Sequence, residues 1–450
     1  MPSPAQQSEA RSLLDQLQND LRNRSLQDRQ LEEVLAKLKI LGRDLNNISG
    51  VYDEARVEIL GTYAFGQYSS NIRLEALRCL ANTLLLLPQT RRSSINLGLD
   101  KKATDSLRHA STDEEFLLSR ILFLLTYDPY IDLSTLIDDH SLPFSIVKLL
   151  QRHAEALTKS TAHTSNPALQ ETLKLLFNVT NAKAEHISKF EPATAQLCRI
   201  FLYIAIPSPA LQPPVSLIIN ALANLDFDSK SLDTDPESPG ALTRLMTILE
   251  QAIQEYSTTE LDTIAIPLLT VLRNINDKAS PNLRERMKSR LLPNDKERDQ
   301  PLGKSSSLAS QILRLTTSAG LLNLSEAISG LMFELSDKDA SQYVHNVGYG
   351  YAAGYLMTHK IPIPESAKKG QYTGESSRQV PVNPVTGQRL DAEPISDLPQ
   401  MTDEEKEREA ERLFVLFERL KATGVVDVKN PVQQARDEGR FEELTDSDSD

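Results

Sequence analysis

The sequence repeats itself loosely, and that repeat limits the folds open to it. LRCLAN ends at Asn82, LKLLFN at Asn178, INALAN at Asn224 and LTVLRN at Asn274, each spelling apolar-x-x-Leu-x-Asn. LFLLTY puts Tyr127 at the asparagine position, ILRLTT puts Thr317 there, and LKILGR, ahead of the first unit, puts Arg43 there. The series 43, 82, 127, 178, 224, 274, 317 advances in steps of 39 to 51 residues. These steps bracket the roughly 40–47 residues of an armadillo or HEAT repeat. A single match of this kind carries little; seven in near-register carry the argument. Within each unit the apolar spacing is helical, and ALRCLANTLLLL is apolar all round, as a helix at the centre of a stack is. Sustained alternation is absent, and the breakers SPGA (238–241) and IPSPALQPP (206–214) fall between apolar runs. Residues 1–357 therefore read as an all-α, armadillo/HEAT-like α-solenoid whose units contact mainly their neighbours and leave one long concave surface.

Residues at i and i+4 share a helix face. On the marker face this places Lys39 with Arg43, Arg78 with Asn82, Lys174 with Asn178 and Asn220 with Asn224, while Arg120, Arg273 and Arg314 precede their own markers by one to seven positions. The face is rich in cations and amides on a chain whose net charge is −13. Two readings follow. The asparagines hold neighbouring backbones together and the cations are solvated, or the row is a groove for an acidic or carboxylate-ended helical segment, since guanidinium forks match carboxylates and amides satisfy peptide groups. The overall acidity argues against a general nucleic-acid binder.

Other motifs dissolve on inspection. SQYVHNVGYGYAAGYLM (341–357) holds Gly348, Gly350 and Gly354 as G-x-G-x-x-x-G. A dinucleotide turn needs a strand before it and a βαβ unit around it; here helical sequence precedes and linker follows, so close helix packing explains the glycines, with Tyr349, Tyr351 and Tyr355 presenting rings. PLGKSSS has the end of a P-loop, but the first glycine would fall at 298, which is Arg298. The histidines are scattered, and Cys79 and Cys198 are isolated, which suits buried thiols in a reducing compartment rather than a metal site or disulfide. No cofactor, metal or catalytic set is expected. The polar start MPSPAQQSEARSLLDQ is not a secretory signal, and the longest apolar runs fall short of the roughly 20 residues of a membrane span, so a cytoplasmic monomer is expected.

Residues 358–400, rich in Pro, Gly and Ser, read as a mobile linker. Thr402 and Glu405 form a capping box that opens an amphipathic helix over 401–424. Its stripe, Leu413, Phe414, Leu416, Phe417 and Leu420, must dock on the solenoid or on a partner. Residues 425–450 read as an acidic, disordered tail.

LEALRCLANTLLLLPQT, SRILFLLTYD, ETLKLLFNVT, YVHNVGYGYAAGYLM, VNPVTGQR and MTDEEKEREAERLFVLFERL, in this order, resemble the synembryn family from about residue 30 onward. These are armadillo-like exchange factors and folding chaperones for G-protein α subunits. The resemblance implies a non-catalytic mechanism: the concave face grips the C-terminal helix of Gα, the segment beyond the repeats reaches over the nucleotide domain, and GDP leaves because the nucleotide-free state binds more tightly. It implies a Gα-binding set of Lys39, Arg43, Asn82, Arg120 and Asn178 from matching motifs, with Arg78, Lys174, Asn220, Asn224, Arg273 and Arg314 resting on the repeat register. It also implies a location in the cytoplasm and at the cell cortex with Gα. The alternative is a general α-solenoid scaffold or transport adaptor for another helical segment. Related sequences carry an acidic Ser/Thr cluster ahead of NPVTG, whereas this chain has SAKKGQYTGESSRQVPV; the acidophilic-kinase pattern falls instead on Thr445 and Ser447, each with an acid three positions on.

Overall fold

The computed structural model describes residues 4–159, 166–227, 238–362, 382–383 and 386–393, with single positions at 402, 408 and 412. The chain divides into two compact units, 1–392 and 393–450. Apart from those single positions, the expected helix over 401–424 with its stripe Leu413, Phe414, Leu416, Phe417 and Leu420, and the tail with Thr445 and Ser447, lie outside the described residues.

The described part is helical. Its α-helices are α1 Pro4–Asn23, α2 Asp28–Leu41, α3 Leu45–Ile48, α4 Glu54–Phe65, α5 Ser70–Leu86, α6 Gln89–Asn96, α7 Leu99–Leu107, α8 Thr112–Leu125, α9 Leu133–Asp138 and α10 Leu142–Lys159. After these come α11 Pro167–Ala182, α12 Glu191–Tyr203, α13 Val215–Ala223, α14 Ser238–Glu255, α15 Thr258–Ile264, α16 Ile266–Lys278 and α17 Pro281–Leu291. The last are α18 Leu308–Thr316, α19 Leu322–Leu335, α20 Ala340–Val347 and α21 Tyr349–Thr358. Local chemistry sets their ends. Ser111 and Ser257 form reciprocal capping boxes with Glu114 and Glu260, and Asn166 and Ser280 cap helices that begin on a proline, a residue whose missing N–H costs nothing in the first turn.

The helices form two rows. One runs α2, α5, α8, α11, α13, α16, α19, each packed on the next. The other runs α1, α4, α7, α10, α12, α14, again in sequence. Leucines dominate the space between: Leu35, Leu38, Leu60, Leu80, Leu122, Leu150, Leu176, Leu222, Leu272 and Leu331 are buried. Each such side chain contributes about 1.5–3 kcal/mol through burial. The sequence repeat follows the first row through its sixth member. At the seventh it departs: α18, which carries Arg314 and is followed by the marker Thr317, packs on α17 and α19, and the neighbour of α16 is α19.

Two sequence readings change. Gly350 and Gly354 are exposed, and a Cβ on Gly354 would meet open space, so close packing does not account for them. Gly348 is required by its backbone: at φ 81°, ψ 150° it ends α20 and starts α21, in a region essentially closed to side-chain-bearing residues. The stretch 358–400 is not linker throughout. Val382 is 3% exposed and pairs with Arg389 across a turn, and this turn is hydrogen-bonded to the 298–302 loop.

One buried charge crosses both rows. Glu115 on α8 is fully buried. It accepts from Thr172 Oγ1 on α11 at 2.7 Å, shares a 2.8 Å bond with His153 Nε2 on α10, and is bonded to Arg152. Burial pushes its carboxyl up, but the hydrogen bonds and charge from His153, with those of Thr172 and Arg152, outweigh burial and hold it below the usual range. A lowered carboxyl stabilises the fold above its unfolded-state pKa of about 4.3, and that contribution is lost as pH falls through the lower folded value. Glu115→Gln should therefore lower the melting temperature near neutrality and flatten its fall on acidification; melts between about pH 3 and pH 7 would show a parallel acid limb if the pairing were unimportant. Gly348→Ala should destabilise by about 1–3 kcal/mol, with Gly354→Ala as the silent comparison in the same melts.

Candidate functional site

The marker asparagines form a ladder along the first row. Asn82 Nδ2 donates to the Lys39 carbonyl of α2 at 3.4 Å, and Asn178 Nδ2 to Thr126 Oγ1, just past α8, at 2.8 Å. Asn224 Nδ2 reaches the Phe177 carbonyl and Thr180 Oγ1 of α11 at 3.3 and 3.4 Å, and Asn274 Nδ2 the Ala223 carbonyl, the last of α13, at 3.3 Å. A helix ends with four carbonyls that have no partner within it. Each asparagine reaches the closing part of the preceding helix, so it stitches one unit to the next. The side chains remain half-buried.

The cations beside the ladder are paired through three glutamates that the sequence reading passed over. Glu75 on α5 takes Lys39 Nζ of α2 at 2.7 Å and Arg78 of its own helix at 2.6 Å. Glu171 on α11 takes Arg120 of α8 at 3.2 Å and Lys174 of its own helix at 2.6 Å. Glu334 on α19 receives Arg273 of α16 through both Nε and Nη2, the closest contact being 2.6 Å. This bidentate hydrogen bond to Glu334 holds the Arg273 proton more tightly than usual. In each pair one cation comes from the preceding helix, so the glutamates bridge units as the amides do. The signal was present: E-x-x-[RK]-x-x-x-N reads over 75–82 and again over 171–178, placing acid, cation and amide on one face at i, i+3 and i+7.

The row thus brings Lys39, Arg78, Asn82, Arg120, Lys174, Asn178, Asn224 and Arg273 into one interlocked series, with five cations paired on three glutamates. Arg43 is exposed. Among the described residues, Arg43 and Asn220 are the candidates whose side chains make no hydrogen bond or ion pair. Arg314 stands apart: it lies on α18, off the row, and its Nη1 donates to the Gly303 and Ser305 carbonyls at 2.7 and 2.9 Å, closing that loop. Stacked rings extend the face. Lys174 lies 5.2 Å above the Phe123 ring, Phe123 meets Tyr127 edge-on, and Tyr127, 57% exposed, faces Arg91.

An open cleft of about 770 Å³ lies where Arg273, Asn274 and Glu334 meet Asn276, Arg284 and Asp337. Buried Asn276 keeps its Oδ1 without a donor there, and the cleft is lined by both signs of charge. The P-loop-like stretch is committed internally: Ser305, Ser307 and Ser310 hydroxyls all donate to Glu297 at 2.6–3.1 Å. Among the described residues there is no grouping of His, Cys, Asp and Glu able to hold a metal and no helix long and apolar enough to cross a membrane.

A two-row helical stack stitched by inter-unit amides defines a helical-repeat protein of the armadillo/HEAT type. Within that class the chain belongs to the synembryn family: the sequence profile described as "guanine nucleotide exchange factor synembryn" matches residues 34–440. A synembryn-like chaperone of Schizosaccharomyces pombe is 27% identical over 83% of this chain and 76% of its own. The chaperone Ric-8A of Macaca fascicularis is 26% identical over 87% and 81%, and the chaperone Ric-8 of Drosophila pseudoobscura 24% over 79% and 71%. Among solved structures, an engineered protein aligns with 60% of this chain and 97% of its own at 16% identity, with a TM-score of 0.41.

If the amides join units as described, Asn224→Ala should destabilise by about 0.5–1.5 kcal/mol. Asn220→Ala, one turn away, should leave the melting temperature unchanged. Denaturant melts of the two variants decide this, and equal stabilities would mean that the Asn224 bonds contribute nothing.

Proposed function

We propose that this chain is a non-catalytic exchange factor and folding chaperone for G-protein α subunits, and that the first row of helices grips the C-terminal helix of Gα. The family membership over residues 34–440 carries the reading. The row supports it physically. It carries a line of cations held on glutamates, half-buried amides and stacked rings, a surface suited to a helical segment ending in a carboxylate. The paired glutamates hold the guanidinium forks in place before the partner arrives, which reduces the ordering cost of binding. Residues beyond 392 make the second contact, on the nucleotide domain. No bond is made or broken by the protein. A binder that prefers the nucleotide-free α subunit must weaken GDP binding by the same factor, and by the same preference it holds the incompletely folded subunit.

Arg43 is the clean test of the groove, because its loss breaks no pairing within the solenoid. Arg43→Ala should leave the melting temperature unchanged, as exposed charges contribute little. A charged contact desolvated in an interface can cost about 2 kcal/mol when truncated, so affinity for a peptide of the Gα C-terminal helix should fall about thirty-fold. GDP release from purified Gα is the functional readout: the wild-type chain should accelerate it and the variant should do so less. A scaffold for another segment would leave release unchanged in both.

A further inference from the structure

The buried Arg298, 4% exposed, ties three parts of the chain together. Its Nη1 donates to the Gly387 carbonyl at 3.0 Å, and its Nη2 to the His345 and Asn346 carbonyls, at the end of α20, at 2.9 and 3.1 Å. Its own carbonyl accepts from Arg389 N at 2.8 Å, and Leu302 N donates to the Thr386 carbonyl at 3.0 Å. Gln388, 7% exposed, donates from Nε2 to the Asp299 carbonyl at 3.2 Å and to the Ala392 carbonyl at 3.1 Å. Tyr351 of α21 closes the other side, its hydroxyl donating to the Leu302 carbonyl at 3.2 Å. The turn that Arg298 holds is tight: Asn383 N donates to the Gln388 carbonyl at 2.7 Å and Gly387 N to the Asn383 carbonyl at 2.8 Å. Gly387 sits at φ +69°, and a Cβ there would lie 2.4 Å from Leu302 Cδ1. The glycine of the NPVTG motif is thus required twice, by its backbone angle and by the leucine beneath it.

We infer that this clasp is a positioning device for exchange, with Arg298 its positioning residue. It holds the described residues 382–392 against the end of the solenoid, and so fixes the sequence position from which residues beyond 392 are tethered. The inference rests on the proposed function, in which those residues contact the partner while the row grips its C-terminal helix. Two linked contacts reinforce each other through the effective concentration that the tether imposes. Counted to Thr402, where the sequence opens its C-terminal helix, the tether is ten residues from Ala392 and forty from Pro362. Effective concentration falls roughly as the −3/2 power of tether length, so opening the clasp dilutes the second contact about eight-fold. The first contact, in the groove, is untouched.

Gly387→Val in the full chain opens the clasp without removing any side chain from the solenoid. The amides of Leu302 and Arg389 should then lose hydrogen-exchange protection, while affinity for the Gα C-terminal peptide stays within two-fold and GDP release from intact Gα slows by up to about eight-fold. Arg298→Met is the second variant and should give the same pattern. A chain ending at 392 should release GDP equally slowly with and without Gly387→Val. Lost protection with full exchange activity would overturn the inference and leave the clasp as an end cap only. Lost peptide affinity would overturn it as well, since the groove would then depend on the clasp. A wild-type chain that neither binds Gα nor accelerates GDP release would overturn the functional reading itself, and this inference with it.

Discussion

Each unit of the first row is joined to the one before it by a side chain reaching back to a helix end. A helix that terminates inside a stack leaves carbonyls with no partner, and an orphaned buried acceptor is costly. Asn82 and Asn274 satisfy such carbonyls directly, Asn224 reaches the Phe177 carbonyl and Thr180 hydroxyl within the last two turns of α11, and Asn178 bonds the Thr126 hydroxyl just past α8. The two rows, the leucine layer between them and the alignment of charges on the exposed side all depend on this stitching, because it sets how far one unit can slide or rotate against the next.

The same spacing that stitches the row also charges it. Glu75 and Glu171 lie seven positions before their asparagines, and each draws a cation from its own helix and one from the helix before. Cations that would otherwise sample many rotamers are held in one geometry along a line. Among the residues paired along the row, five cations meet three glutamates, on a chain that is acidic as a whole. A surface of this kind selects by charge and by rigid placement rather than by a pocket, which suits a protein proposed to act by preferring one state of its partner.

The two ends of the described solenoid differ in how they are finished. The first helices close on one another through ordinary packing and through the buried Tyr63–Asp20 pair, 2.7 Å apart. The far end is finished by a returning strand-like segment pinned by one buried arginine. Terminal units of a solenoid must shield an apolar edge, and here that shield comes from residues well beyond the last helix in sequence. Arg298 occupies the position where a P-loop would need glycine, and the serines after it serve Glu297 rather than a phosphate.

The helical class, the repeat length, the positions of six of the seven first-row helices and the asparagine face were legible in the sequence, because helical periodicity and an i, i+4 face are properties of a single helix. The family resemblance was legible for the same reason, in short contiguous motifs. What pairs with what was not. Whether Lys39 is solvated or bound to Glu75 depends on the distance between α2 and α5, which no local pattern contains. The seventh unit was misplaced because α18 imitates the marker but packs elsewhere. Residues 382–392 read as linker because their partners lie some ninety residues earlier. Glycine at 348 and at 387 looks alike on the page; only the fold shows that both need a positive φ and that Gly387 has the Leu302 side chain directly beneath it.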